Sequence, residues 1–189
     1  WSHFLARFGS TLTTVLSNRA VLRRYPLAGV MHILIMWSMI ILFVGTLIVS
    51  VEYDLFHKLM GMDHGILKGW FFLGFELVLD VFGLALIIGL VIALVRRFLF
   101  KPSHLKQEVR DLIFPAWLLL IALSGFAVEG ARIAAQAGEL GYNPAWSPVG
   151  LAFSTLWPGP ASESQTVCHA WLWWSHGLLA LVGIAAIPF

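Results

Sequence analysis

Long apolar runs separated by short polar segments dominate this chain. Four runs approach or exceed the roughly 20 residues that a helix needs to cross a bilayer. They are Ala28–Ser50, Gly69–Val95, Leu112–Val128 and Val167–Phe189, the third reaching that length only if its ends are extended. The pattern predicts an all-α integral membrane protein, with a bundle of four transmembrane helices within residues 27–189.

Residues 1–26 follow a different pattern, in which apolar and polar side chains alternate at helical spacing. The apolar positions are Phe4, Leu5, Phe8, Leu12, Val15 and Leu16. Four arginines share the segment: Arg7, Arg19, Arg23 and Arg24. This favours an amphipathic helix lying on the cytoplasmic surface of the membrane. A solvated arm packed on a partner is the alternative. Because the chain starts at Trp1 and stops at Phe189 without a polar end, we expect it to be part of a longer polypeptide.

Composition agrees with a membrane protein. The chain is 59% hydrophobic and 12% charged, with a mean hydropathy of +0.85, which excludes an ordinary soluble domain. We therefore expect membrane lipid around it and no nucleic-acid partner. The single cysteine, Cys168, excludes an internal disulfide and any cysteine-ligated iron–sulfur cluster held by this chain alone.

The distribution of Lys and Arg predicts the orientation. The face formed by residues 1–27 and 96–111 holds Arg7, Arg19, Arg23, Arg24, Arg96, Arg97, Lys101, Lys106 and Arg110. The opposite face holds only Lys58, Lys68 and Arg132. The positive-inside rule places the first face in the cytoplasm.

Two of the apolar runs contain histidines. His32 lies about 6 Å into the first span, and His176 about 13 Å below the outer surface in the fourth. An imidazole at membrane depth usually marks a functional site, and paired imidazoles can serve as axial ligands of a b-type haem. Because Gly29 and Gly45 have no side chain, we expect them to leave room for a flat macrocycle beside His32. The alternative is a histidine hydrogen-bonded to a neighbouring helix. For His169, near the outer end, an interfacial polar role fits as well as a ligand role.

Two carboxylates, Glu76 and Asp80, lie four positions apart on one face of the second span. Carboxylates inside a membrane must be neutral, paired or hydrated. The pattern indicates proton handling at a quinone site or a salt link to a histidine. A structural hydrogen bond between helices is the alternative. Glu129 and Arg132, three positions apart, are predicted to pair with each other.

Five stretches, in order, resemble one family. They are Leu22–His32, Gly74–Asp80, Ser124–Phe126 with Glu129 and Arg132, Trp146–Gly150, and His169–His176 with Pro188 and Phe189. The chain is similar to the nitrate reductase gamma-type cytochrome b membrane domain. It resembles most the form fused to iron–sulfur and cysteine-rich CCG domains in heterodisulfide-reductase-related proteins.

The resemblance implies five spans, bis-histidine ligation of haem b, and electron exchange between cytoplasmic iron–sulfur centres and membrane quinone. His32 matches the family's ligand on the cytoplasmic half of its second helix, and His176 matches the outer ligand of its fifth helix. The chain departs from the family's pattern at two positions. Leu42 stands before Phe43-Val44-Gly45, where two-haem gamma subunits have a further histidine. The inner ligand of the last helix would fall beyond Phe189, which leaves His32 with His176 as the fallback pair.

We therefore expect a haem b electron-transfer unit, with one or two haems, in a bacterial or archaeal cytoplasmic membrane. It would pass electrons between a cytoplasmic iron–sulfur or flavoprotein partner and menaquinone, with the Fe–S clusters on the partner or a fused domain. It would sit beside other subunits of a membrane complex. The alternatives are a non-redox membrane anchor or scaffold and, third, a transporter, although no span is broken at its centre.

Overall fold

The computed structural model describes residues 4–62, 65–100, 110–136, 143–157 and 162–186. Every regular element in these ranges is helical. The α-helices are α1 (Phe4–Ser17), α2 (Arg19–Arg24), α3 (Pro26–Ser50), α4 (Gly69–Val95), α5 (Arg110–Ala135), α6 (Pro148–Ser154) and α7 (Glu163–Ala186). Wide π-helical turns follow α3 over Val51–Leu59 and α4 over Arg96–Phe100, and a 3₁₀ turn covers Pro144–Trp146.

Within the described residues, four helices are long and apolar enough to cross a membrane. With their extensions they cover Pro26–Leu59, Gly69–Phe100, Leu112–Ala135 and Glu163–Ala186. Large apolar side chains on their outer faces are exposed, as Phe43 is at 61%, which is expected where lipid covers the protein. These observations confirm the predicted all-α fold with four transmembrane helices and make the chain a multi-pass membrane protein.

The first two spans continue as helix beyond their apolar runs. The polar stretch 51–68 between the first two apolar runs is helical over its first nine residues, Val51–Leu59. The wide turns end where Met60 N–H donates to the carbonyl of Leu55. Arg96–Phe100 extends α4 in the same way. The reason is physical: a drop in hydropathy marks where a helix leaves the bilayer, whereas its end depends on backbone hydrogen bonds.

α3 and α4 pack closely as antiparallel neighbours. A Cβ built on Gly45 would lie 2.5 Å from a Leu79 methyl carbon. Further along α4, a Cβ on Gly89 would lie 2.9 Å from Cγ1 of Ile35, nearer the start of α3. Small residues at these positions let the two backbones approach, as is common where helices associate in membranes.

α5 packs against α4 on one side and against α7 on the other. The indole N–H of Trp117 donates to the Leu179 carbonyl at 3.2 Å. Two turns later on α5, Ser124 contacts His176, which precedes Leu179 on α7. α5 and α7 are therefore antiparallel, and α3, α4, α5 and α7 follow one another in space.

The antiparallel packing of α3 and α4 brings two basic stretches to one end of the bundle. α2 precedes α3 and ends with Arg23 and Arg24, and the turns after α4 begin with Arg96 and Arg97. Lys101 and Lys106, which belong to the same predicted basic face, lie outside the described residues. These arginines therefore lie at one end of the bundle, as predicted. The assignment of this end to the cytoplasm stays a prediction.

The N-terminal segment contains two helices instead of one. α1 has no buried residue, as expected for a helix that presents its apolar stripe to a membrane surface. The chain turns at Asn18, whose φ of +47° is a left-handed conformation that asparagine tolerates. α2 then packs on the start of α3. The amphipathic helix is confirmed over Phe4–Ser17, and the indole N–H of Trp37 on α3 donates to the Leu16 carbonyl near its end at 3.3 Å.

The connection between α5 and α7 re-enters the bundle through α6, which packs against both α5 and α4. A Cβ on Gly130 would lie 2.7 Å from the backbone carbonyl carbon of Phe153. The ring of Phe153 stacks on that of Phe126 with centroids 5.4 Å apart. Part of the connection between two spans therefore contributes to the core.

Candidate functional site

His176 is half-buried between α5 and α7, and Ser124 holds its ring. Ser124 Oγ donates to the Ile121 carbonyl at 2.8 Å and lies 2.9 Å from His176 Nδ1. A hydroxyl has a single proton. Because Ser124 donates it to the Ile121 carbonyl, Ser124 Oγ must accept a hydrogen bond from Nδ1–H of His176. That tautomer leaves Nε2 with its lone pair, as a metal ligand requires.

His32 lies in a different environment. It is exposed on α3, about 120° around the helix from Ser38, which is fully buried. Among the described residues, His32 and His176 make no hydrogen bond or ring contact with each other. α3 packs chiefly on α4, and α7 packs on α5, so the two imidazoles belong to different helix pairs. Two ligands of one metal need not touch each other, so the fallback pair of His32 with His176 stays a prediction.

The expected space for a macrocycle beside Gly29 and Gly45 is absent. Leu22 Cα would lie 2.5 Å from a Cβ on Gly29, and Leu79 occupies the equivalent position at Gly45. That interpretation was wrong because both glycines serve close helix packing, with α2 and with α4. A planar group beside His32 would have to lie on another side of α3.

His169 is half-buried near the start of α7 and interacts electrostatically with Glu129 and Arg132 of α5. The sequence left an interfacial and a ligand role open for this residue. The structure adds a third environment, the edge of an ionic cluster. Its role as a haem ligand stays a prediction.

The ionic cluster joins α4 to α5. Arg132 donates from Nη2 to Glu129 Oε1 at 2.6 Å and from Nε to Glu129 Oε2 at 3.2 Å, which confirms the predicted pair. The same Nη2 also donates to Glu76 Oε1. Arg132 Nη1 donates to Gln136 at 2.8 Å. Glu76 is buried, and its second oxygen, Oε2, has no hydrogen-bond partner among the described residues.

Asp80 has different partners. Its side chain is buried, and its two oxygens accept from two consecutive backbone N–H groups at the start of α6. Gly150 donates to Oδ1 at 2.8 Å and Val149 donates to Oδ2 at 3.0 Å. Asp80 thus fastens α6 to α4. Glu76 and Asp80 therefore both make hydrogen bonds between helices, as the structural alternative predicts. Proton handling by the two residues stays a prediction.

These contacts close into a ring. Glu76 and Asp80 are neighbours on α4, Asp80 binds the start of α6, and a Cβ on Gly150 would lie 2.5 Å from Glu129 Cγ. Glu129 then pairs with Arg132, which returns to Glu76. Three carboxylates and one guanidinium therefore share one site among α4, α5 and α6.

Two parts of these sites were not predicted from the sequence. Ser124 contributed only to the resemblance, although a Ser-Gly pair inside an apolar run signals a helix contact. α6 was missed altogether. Ser147 followed by Pro148 is a common helix start, with proline at the first helical position, and it could have revealed α6.

Three comparisons with known proteins bear on the chain. It is 31% identical over 199 aligned positions to the EtfAB:quinone oxidoreductase of Syntrophomonas wolfei, covering 100% of this chain and 25% of the relative. It is 29% identical over 143 positions to a subunit of the dihydromethanophenazine:CoB–CoM heterodisulfide reductase of Methanosarcina thermophila, covering 75% of this chain and 53% of that subunit. The corresponding subunit from Methanosarcina acetivorans is 28% identical over 143 positions. No protein-family model and no solved structure matches the chain.

The relatives support part of the resemblance, since the chain is related to a quinone oxidoreductase and to heterodisulfide reductase subunits. The nitrate reductase gamma-type form stays a prediction. The chain spans a quarter of the first relative and about half of the second.

Proposed function

We propose that this chain is a membrane electron-transfer unit that passes electrons between a cytoplasmic iron–sulfur or flavoprotein partner and menaquinone. The observation that carries the proposal is its alignment, over its whole length, with part of an EtfAB:quinone oxidoreductase. The similarity to a heterodisulfide reductase subunit, over three quarters of the chain, supports the same class of activity. The setting we propose is a bacterial or archaeal cytoplasmic membrane.

The chain's histidines suit a haem b cofactor in their donor chemistry. Ser124 supports His176 as a ligand by holding Nδ1 and leaving Nε2 free. His32 contributes an accessible imidazole, and His169 is the third candidate. The haem would supply one-electron transfer, while the protein fixes the ligand tautomer and surrounds the cofactor with apolar helices.

Proton handling for the quinone is assigned to the α4 face that carries Glu76 and Asp80. Quinone reduction takes up protons, and a positioned carboxyl group can transfer them. Both side chains are buried next to α5 and α6, so their protons would move within the protein and not through lipid.

The basic end of the bundle is the proposed docking surface for the soluble partner. It combines the arginines of α2 with Arg96 and Arg97 after α4. Partners in electron transfer commonly meet through complementary charge, which raises the association rate. An acidic surface on the iron–sulfur or flavoprotein partner is the expected complement.

One observation favours the alternative of a non-redox membrane anchor. The Ser124–His176 hydrogen bond already gives that buried histidine an interhelical partner, which is all that a structural histidine requires. The two functions differ in one measurable property, because only the electron-transfer unit binds haem.

The deciding experiment is a pyridine haemochrome assay with a protein determination on the purified chain. We expect haem in the wild type, with at least one haem lost in His32→Ala or His176→Ala and none lost in His57→Ala. His57 is a matched control, since it is an exposed histidine whose ring nitrogen bonds to the Met62 carbonyl near the end of the π-helical turns. Haem-free wild-type protein, or unchanged haem in both span variants, would contradict the proposal.

A further inference from the structure

Among the described residues, the cluster on α4 and α5 holds three carboxylates and one guanidinium. Glu129 contacts Arg132 through both of its oxygens, so it matches the single positive charge. Asp80 receives two backbone N–H groups, which stabilise an ionised carboxylate. Glu76 is the surplus carboxylate. It shares Nη2 of Arg132 with Glu129, and its Oε2 is buried without a partner among the described residues.

A second negative charge at this position would be costly. Burying an ionised carboxylate without full compensation costs far more than burying a neutral carboxylic acid. A proton on Oε2 removes that charge and leaves Oε1 free to accept from Arg132. The surrounding groups are consistent with this, since the side chains facing Glu76 are Arg132 and Glu129 of α5, with Asp80 on its own helix and His169 of α7 at the edge.

Among the described residues, the cluster is most exposed on the side of Glu129 and Arg132. The Glu76 side chain is 6% exposed, whereas that of Glu129 is 29% exposed and that of Arg132 is 22% exposed. Arg132 is one turn from the end of α5 at Ala135. On the other side, Phe126 of α5 is buried against Gly83 of α4. The buried side chains of Leu86 and Leu90 follow Gly83 along α4. The accessible side of the cluster is therefore that of Glu129 and Arg132, and apolar side chains cover the opposite side.

We propose that Glu76, Arg132 and Glu129 form a proton-binding site in which Glu76 holds one proton on Oε2 while Glu129 stays ionised against Arg132. When the proton leaves, the O–H bond on Glu76 breaks and a water molecule takes the proton. Glu76 then keeps the negative charge beside the same guanidinium. Asp80 and the start of α6 are positioning groups that hold Glu129 against Arg132.

This inference rests on the proposed function for its purpose, the exchange of protons linked to quinone chemistry, and its test uses no haem and no quinone. Infrared spectroscopy of the purified chain at neutral pH detects the C=O stretch of a protonated carboxylic acid, which shifts in heavy water. We expect one such band in the wild type. It should vanish in Glu76→Gln, which keeps an oxygen for Arg132, and persist in Asp80→Asn and in Asp54→Asn, an exposed carboxylate control.

The part played by Glu129 is tested by a second variant. We expect Glu129→Gln to lose the band, because Glu76 then takes the place of Glu129 as the ionised partner of Arg132. A wild-type chain with no band, a band that survives in Glu76→Gln, or a band that persists in Glu129→Gln would overturn the proposal. Haem content measured on the same samples tests the proposed function separately, so the two can fail independently.

Discussion

Replacing Asp80 by alanine removes the acceptors of two backbone N–H groups at the start of α6. The donors, Val149 and Gly150, lie 3.0 and 2.8 Å from the two carboxylate oxygens, and Asp80 is 5% exposed. Leaving one buried donor unsatisfied costs about 1–3 kcal/mol. For two donors we therefore expect Asp80→Ala to lower the free energy of unfolding by about 2–6 kcal/mol. Asp80→Asn keeps one acceptor oxygen and should lose about half as much, because its NH₂ group would face the second N–H.

The assay is reversible unfolding of the purified chain in mixed micelles with increasing SDS. The matched control is Asp54→Ala, which removes an exposed carboxylate paired with Lys58 and should cost about 0–1 kcal/mol. Hydrogen exchange of a peptide covering residues 148–154 supplies a local measurement, since loss of the carboxylate should expose these amides. An Asp80→Ala variant as stable as the Asp54→Ala control, with unchanged exchange in this peptide, would refute the role assigned to Asp80.

Three further predictions follow from other contacts. Ser124→Ala should weaken haem binding by about 10–100-fold. Ser175→Ala is the control and should not weaken it, because the Ser175 hydroxyl bonds to its own helix at the Trp171 carbonyl. Equal haem affinities of the two variants in a haem titration would contradict this. Gly130→Ala should cost about 1–3 kcal/mol in the same micelle assay, because its Cβ would meet the backbone of Phe153. Gly177→Ala, with nothing within 4 Å, should be tolerated, and equal stability of these variants would refute the close contact of α5 with α6. A cysteine at Ser103, in a Cys168→Ala background, should resist an impermeant reagent outside intact cells, and labelling there would reverse the predicted orientation.

Several features were readable from local sequence. The four spans follow from the length and hydropathy of each apolar run, and α1 follows from helical spacing of its apolar residues. The Glu129–Arg132 pair follows from a separation of three positions on one helix. Each of these depends on residues near one another in the chain, so no knowledge of packing was needed.

The sites between helices were decided by tertiary structure alone. Arg132 meets Glu76 from 56 positions away, and Ser124 meets His176 from 52 positions away. Asp80 meets α6, a short helix in the connection between two spans, about 70 positions further along the chain. Gly29 and Gly45 proved to be packing contacts and not space for a cofactor.

The physical reason is that a membrane span is apolar around its whole circumference. In a soluble helix an apolar stripe opposite a polar face shows which side points inward. In lipid, the outward face is as apolar as the inward one, so hydropathy carries little information about rotation. The sequence therefore determined how many helices cross the membrane and which polar residues they carry. Packing of small residues, and the need of each buried polar atom for a partner, decided which of those residues face one another.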